Sequence, residues 1–113
     1  MSVTFIVDGD PESRKNKLNE LMNDFKGEPR FDDDSHFKVK YNSSSNKHYI
    51  FINEDSESNT LLRNAFIIRD YLNIKNSFLF IALDNESKIF DFKNRFEKQL
   101  KHQEIKILRL KKD

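Results

Sequence analysis

His48-Tyr49-Ile50-Phe51-Ile52-Asn53 runs into Glu54-Asp55-Ser56-Glu57-Ser58-Asn59 and then into the apolar stretch Leu61 to Leu72. Tyr49 to Ile52 is an aromatic and β-branched run, the composition of a strand. The acids and hydroxyls after it are a polar junction, and beyond them the apolar spacing becomes helical. The helix expected from about Ser58 to Asn73 is broad-faced, because Leu61, Leu62, Ala65, Phe66, Ile67, Ile68, Tyr71 and Leu72 are all apolar. One sheet contact needs an apolar stripe only about 100° wide. Part of this helix is therefore expected to cover a second surface.

Downstream, Phe78-Leu79-Phe80-Ile81-Ala82-Leu83 is a continuous apolar run, as expected of a strand buried on both faces. Ile89, Phe92, Phe96 and Leu100 mark an amphipathic helix with Phe90 off its stripe, and Ile105, Ile107 and Leu108 begin a last strand. Upstream, Phe37, Val39 and Tyr41 alternate with Lys38 and Lys40, a half-buried strand joined through the serine turn 42–46 to the strand at Tyr49 as a hairpin. Pro29 to Ser35 reads as loop.

At the start, Val3-Thr4-Phe5-Ile6-Val7 is a short strand, Asp10 a helix N-cap, Pro11 the first helical residue, and Gly27 a closing residue for a helix carrying Leu18, Leu21, Met22 and Phe25. The order β-α-β-β-α-β-α-β implies an α/β fold. It is expected to have three layers, a mostly parallel sheet with helices on both faces and one inserted hairpin.

The 113 residues suffice for one domain, 1–113. Charged residues make up 35% and hydrophobic ones 36%, so the core must be economical, and eleven phenylalanines supply large buried rings. No cysteine means no disulfide framework and no thiolate metal site. No apolar run reaches the roughly 18 residues of a membrane span, and neither membrane insertion nor secretion is expected. Net charge is +1. From Lys88 to Asp113, however, nine Lys/Arg stand against four acids, a basic segment suited to phosphate.

Several chemistries are excluded. The two glycines, Gly9 and Gly27, cannot build a phosphate-cradling loop or a dinucleotide fingerprint. His36, His48 and His102 are too far apart in sequence for a helical zinc pair, and no serine sits in a nucleophile elbow. Asp8 and Asp10 end the first strand, where α/β sheets bind ligands. Ile6-Val7-Asp8-Gly9-Asp10-Pro11-Glu12 resembles the opening of response-regulator receiver domains. In those proteins a later strand ends in a phosphate-accepting aspartate. Asn53 stands at the corresponding place and cannot form an acyl phosphate, so this resemblance implies at most a degenerate interaction module. Turn and helix cap are the plainer roles for the two acids.

The strand Tyr49–Asn53, the helix Ser58–Asn73, the strand Phe78–Asp84, the helix Glu86–Leu100 and the strand Ile105–Leu110 together resemble a second group. That group is the central domain of the non-catalytic partner subunits of XPF-family nucleases. Leu72-Asn73-Ile74-Lys75-Asn76-Ser77-Phe78-Leu79, with Phe96 and Ile105-Lys106-Ile107-Leu108, is most similar to the meiotic member of the ZMM crossover machinery. In active relatives a Gly-Asp pair and a Glu-Arg-Lys-x-x-x-Asp motif hold the metal. Carried here, the second motif falls near Asn53 to Glu57, where no lysine or arginine occurs before Arg63. The resemblance thus implies a non-enzymatic subunit with no catalytic residue, metal or cofactor. It would pair with an XPF-like protein and support branched DNA in crossover formation or repair, in the nucleus of a eukaryote or otherwise the cytoplasm.

Relatives continue into a tandem helix-hairpin-helix domain, whereas this chain stops at Asp113. Pairing is therefore expected through the α/β domain, unless the chain is a piece. Phe66, Ile67, Tyr71, Leu72 and Phe90 are the expected partner surface. Lys98, Lys101, Lys106, Arg109, Lys111 and Lys112 are the expected DNA contacts. No small-molecule substrate is expected. Usage rich in Lys, Asn, Ile and Phe equally suits a small phage or bacterial inhibitor.

Overall fold

The computed structural model describes residues 2–7, 9–33, 36–54, 59–74, 77–83, 86–101 and 104–109, with 2–7, 32–33 and 104–109 described by backbone alone. In chain order the elements are β1 (Ser2–Val7), α1 (Pro11–Asp24), β2 (Glu28–Asp33), β3 (Phe37–Asn42), β4 (Lys47–Asn53), α2 (Thr60–Arg63), α3 (Ala65–Leu72), β5 (Ser77–Ala82), α4 (Glu86–Arg95), α5 (Glu97–Leu100) and β6 (Glu104–Arg109). The six strands form one mixed sheet in the order β2-β3-β4-β5-β1-β6. The pairs β4–β5, β5–β1 and β1–β6 are parallel, while β2–β3 and β3–β4 are antiparallel.

Period-two alternation on the paired strands β4 and β5 separates two cores. Ile50, Ile52, Leu79 and Ile81 point to one side and pack with Leu61, Ala65, Ile68 and Leu72 of α2 and α3 and with Ile89, Phe92, Phe96 and Leu100 of α4 and α5. Tyr49, Phe51, Phe80 and Ala82 point to the other side and meet Leu18, Leu21, Met22 and Phe25 around α1. The second core is built from rings. Phe25 lies 4.8 Å from Phe80 and 5.0 Å from Tyr49, and Phe51 lies 5.2 Å from Phe80. Burial on both faces explains why β5 reads as an unbroken apolar run.

The N-terminus of α1 forms as its residues dictate. Asp10 accepts from the Ser13 backbone N–H at 2.9 Å and from its hydroxyl at 3.0 Å, with Pro11 at the first helical position. These bonds hold the Asp10 carboxyl below its ordinary pKa, the Ser13 backbone bond most of all.

Four expectations are corrected. Of the segment Pro29 to Ser35, expected as loop, residues 29–33 join Glu28 in the edge strand β2 (Glu28–Asp33), whose register shifts between Pro29 and Phe31, and residues 34–35 lie outside the described residues. Pairing with β3 makes this strand despite its composition. Proline is tolerated because an edge strand leaves one side unpaired. The hairpin is consequently one half of a three-stranded antiparallel meander.

Second, Gly27 does not close α1. The helix ends at Asp24, its cap Phe25 is extended (φ −105°, ψ 97°), and no described glycine has positive φ. Gly27 is needed for close approach instead, since a Cβ there would lie 2.8 Å from the Tyr41 carbonyl oxygen. The Lys40 ammonium donates to the Met22 carbonyl oxygen at 2.8 Å, covering an acceptor that the helix end leaves open.

The third and fourth corrections concern the long helices, each of which is interrupted. Asn64 (φ −113°, ψ 20°) separates α2 from α3, and Phe96 (φ −113°, ψ 27°) separates α4 from α5. Bonds from Asn64 N–H to the Thr60 oxygen (3.0 Å) and from Ile68 N–H to the Asn64 oxygen (2.9 Å) carry the helical repeat through the first break. Among the described residues no helix is long and apolar enough to cross a membrane.

Candidate functional site

Register places the C-terminal ends of the parallel strands at one edge of the sheet, with Asn53 beside Ala82, Ala82 beside Ile6, and Val7 beside Arg109. The polar junction after β4 begins here. Asn53 is buried and its backbone is held at both ends, its N–H donating to the His36 oxygen at 2.8 Å and its carbonyl accepting from the Thr60 hydroxyl at 3.3 Å. Glu54 is also buried. Its N–H donates to the Ala82 oxygen at 3.0 Å, and its carboxylate accepts from the Leu61 N–H at 2.7 Å.

That last bond replaces a missing cap. Asn59, the residue before α2, is left-handed (φ 48°, ψ 35°) and makes no side-chain capping bond. Glu54 reaches back to satisfy one of the orphan N–H donors of the helix start, and a carboxylate is favoured there. Its charge thus fastens α2 to the end of β4. Asp55 to Ser58 lie outside the described residues. Among the described residues no group of three or more His, Asp or Glu side chains converges as a metal site.

Asp10 is exposed and engaged as a helix cap, and Asp8 is outside the described residues. β1 lies between β5 and β6, whereas in a receiver-type order the first strand lies between the second and third. Arg14, which sequence reading passed over, is buried, and its guanidinium donates to the Gly9 carbonyl oxygen. Its spacing, one turn before Leu18 on the buried stripe, was the available signal.

Of the expected partner surface, Phe66 is 79% exposed and Phe90 65% exposed. Ile67 and Tyr71 are half-buried against the core. Leu72 is corrected: at 3% exposure it is an interior residue, because it continues the stripe Leu61, Ala65, Ile68 that faces the sheet. Leu62, 62% exposed and one turn from Phe66, belongs to the outer surface and was not singled out from sequence.

An open cleft of about 210 Å³ separates α2 from α4, floored by Leu61, Leu62 and Phe92 and rimmed by Lys88, Asp91 and Arg95. Phe90, about 200° around the axis from Lys88, is turned away from it. Arg95 also lines a neighbouring hollow of about 400 Å³ with Arg69 and Lys98. The Arg69 guanidinium lies 5.5 Å from the Phe66 ring centre and 5.8 Å from that of Phe96. Of the expected DNA contacts, Lys98 and Lys101 are exposed, Lys106 and Arg109 stand on β6, and Lys111 and Lys112 fall outside the described residues.

No protein-family model, no curated protein and no solved structure matches this chain.

Proposed function

We propose that the chain works by binding rather than by catalysis, as a non-enzymatic α/β domain that docks on a partner protein through the outer surface of its helical layer. The observation that supports this most is Glu54. Among the described residues of the segment where the resemblance puts a nuclease's metal motif, the one carboxylate, Glu54, is buried and bonded to the start of α2. Beside it the helical layer exposes Leu62 and Phe66, with Phe90 further round, large apolar groups of the kind that anchor interfaces.

In its finer form the reading follows the XPF resemblance. The layered arrangement stands for the central domain of a partner subunit, the companion is an XPF-like protein, and the work is crossover formation or repair on branched DNA. The setting is then nuclear in a eukaryote and cytoplasmic otherwise. Phosphate contact falls to the basic C-terminal segment, from Lys101 through Lys106 and Arg109 on the edge strand.

Two titrations test this. Mixed with the XPF-like subunit of the same source, the chain is expected to form a stable complex that Phe66→Ala weakens by about tenfold or more. Gel shifts with forked and linear duplexes are expected to show binding that falls steeply between about 50 and 200 mM salt. Absence of any complex overturns docking on that partner. Duplex binding indifferent to salt, or none, removes the DNA role.

A further inference from the structure

The two depressions on the helical layer form one groove with two chemistries. The cleft between α2 and α4 has an apolar floor of Leu61, Leu62 and Phe92, while the adjoining hollow presents Arg69, Arg95 and Lys98. Arg95 lines both and joins them. The hollow, about 400 Å³, is lined by charged and amide side chains, and the cleft, about 210 Å³, is the smaller and more apolar of the two. It suits one or two side chains.

We propose that this groove receives an acidic, amphipathic segment of a partner protein. Its apolar side chains enter the cleft and cover Leu62 and Phe66, and its carboxylates meet Arg69, Arg95 and Lys98. Guanidinium groups bind carboxylates in a two-pronged fashion, and Arg69 is steadied for this by the Phe66 and Phe96 rings on which it lies. Nucleic acid suits the groove less well. A nucleic-acid strand presents an unbroken series of phosphates, all of one sign, and the cations here are interleaved with Asp91 and Glu97 at the rim and Glu54 within. A peptide can set an apolar or basic residue against each of those acids, whereas a phosphate chain cannot.

The inference rests on the docking reading above and specifies its site and the partner's chemistry. The probe is a phage-displayed library of random peptides, selected on the immobilised chain. Selected peptides are expected to carry Asp and Glu around two large apolar residues at i, i+3 or i+4 spacing. In fluorescence anisotropy such a peptide should lose about tenfold or more in affinity against Arg95→Glu, with a comparable loss against Leu62→Ser. Asn19→Ala, exposed on α1 at the opposite face of the sheet, should leave its affinity unchanged. All three positions are exposed, and circular dichroism checks that each variant is folded.

Selected peptides that are basic or neutral, or that are indifferent to Arg95→Glu, overturn the proposal, as does a library that yields no binder. Displacement of a selected peptide by equimolar oligo-dT would reassign the groove to nucleic acid. A chain that still binds its XPF-like companion after Arg95→Glu keeps the docking reading and loses only the groove. Failure of both companion and library removes the two together.

Discussion

At the scale of single residues, the informative side chains are polar groups placed against apolar neighbours. His48 on β4 lies 4.6 Å from the Tyr41 ring and 6.1 Å from that of Tyr71, and its Nδ1 has no hydrogen-bond partner among the described residues. Burial, and after it the positive charge of Arg30, lower its pKa below the ordinary 6.5. Protonation is therefore harder in the folded chain than in the unfolded one. The neutral imidazole contributes stability that is fully present above pH 6.5 and is lost as pH falls through that value toward the folded pKa. Thermal unfolding between pH 7.5 and 5 is expected to show a declining midpoint, and His48→Gln should flatten the decline; an unchanged slope would contradict the assignment. Asp10 has the same sign in a more acidic window, the stability of its cap to Ser13 declining as pH falls through 3.8 toward its lower folded value.

At the scale of elements, tertiary pairing decides what local pattern leaves open. The alternation of Phe37, Val39 and Tyr41, the unbroken run at β5 and the Asp10-Pro11 start were legible because each depends on nearest neighbours. β2 was not legible, since Glu28-Pro29-Arg30-Phe31-Asp32-Asp33 has poor strand composition and becomes a strand only by pairing with β3. The breaks at Asn64 and Phe96 were hidden for a related reason, as the helical hydrogen bonds and the apolar stripe pass through both. Gly27 was noticed for the wrong property. Its role lies in the contact between the end of α1 and β3, where an added Cβ would meet backbone atoms of Tyr41 at 2.8 and 2.9 Å. Backbone cannot rotate aside, so Gly27→Ala is expected to lower the unfolding midpoint clearly, while Asp24→Ala on the exposed end of the same helix leaves it within a degree or two. Equal midpoints for the two variants would show that the approach is not required.

At the scale of the whole molecule, α1 packs against one set of side chains of the mixed sheet and α2 to α5 against the other, and the surface beyond α2 to α5 keeps apolar side chains that neither core uses. The broad helical face already pointed to a second surface in the sequence. Which residues belong to it was not legible: Leu72 and Phe66 are alike in composition, and only the register of α3 on the sheet sends one inward and the other out. The same register sets Glu54 against the start of α2, and the claim that this chain binds rather than cuts depends on that contact most. Thermal unfolding of Glu54→Ala and Glu54→Gln, with and without millimolar manganese, measures it directly. A structural carboxylate predicts that alanine destabilises by about 1–3 kcal/mol through an unsatisfied buried N–H, that glutamine loses much less, and that manganese shifts none of the three proteins. A catalytic carboxylate predicts the reverse, with neutral or stabilising substitutions and a wild-type midpoint raised by the metal; that outcome would contradict the account.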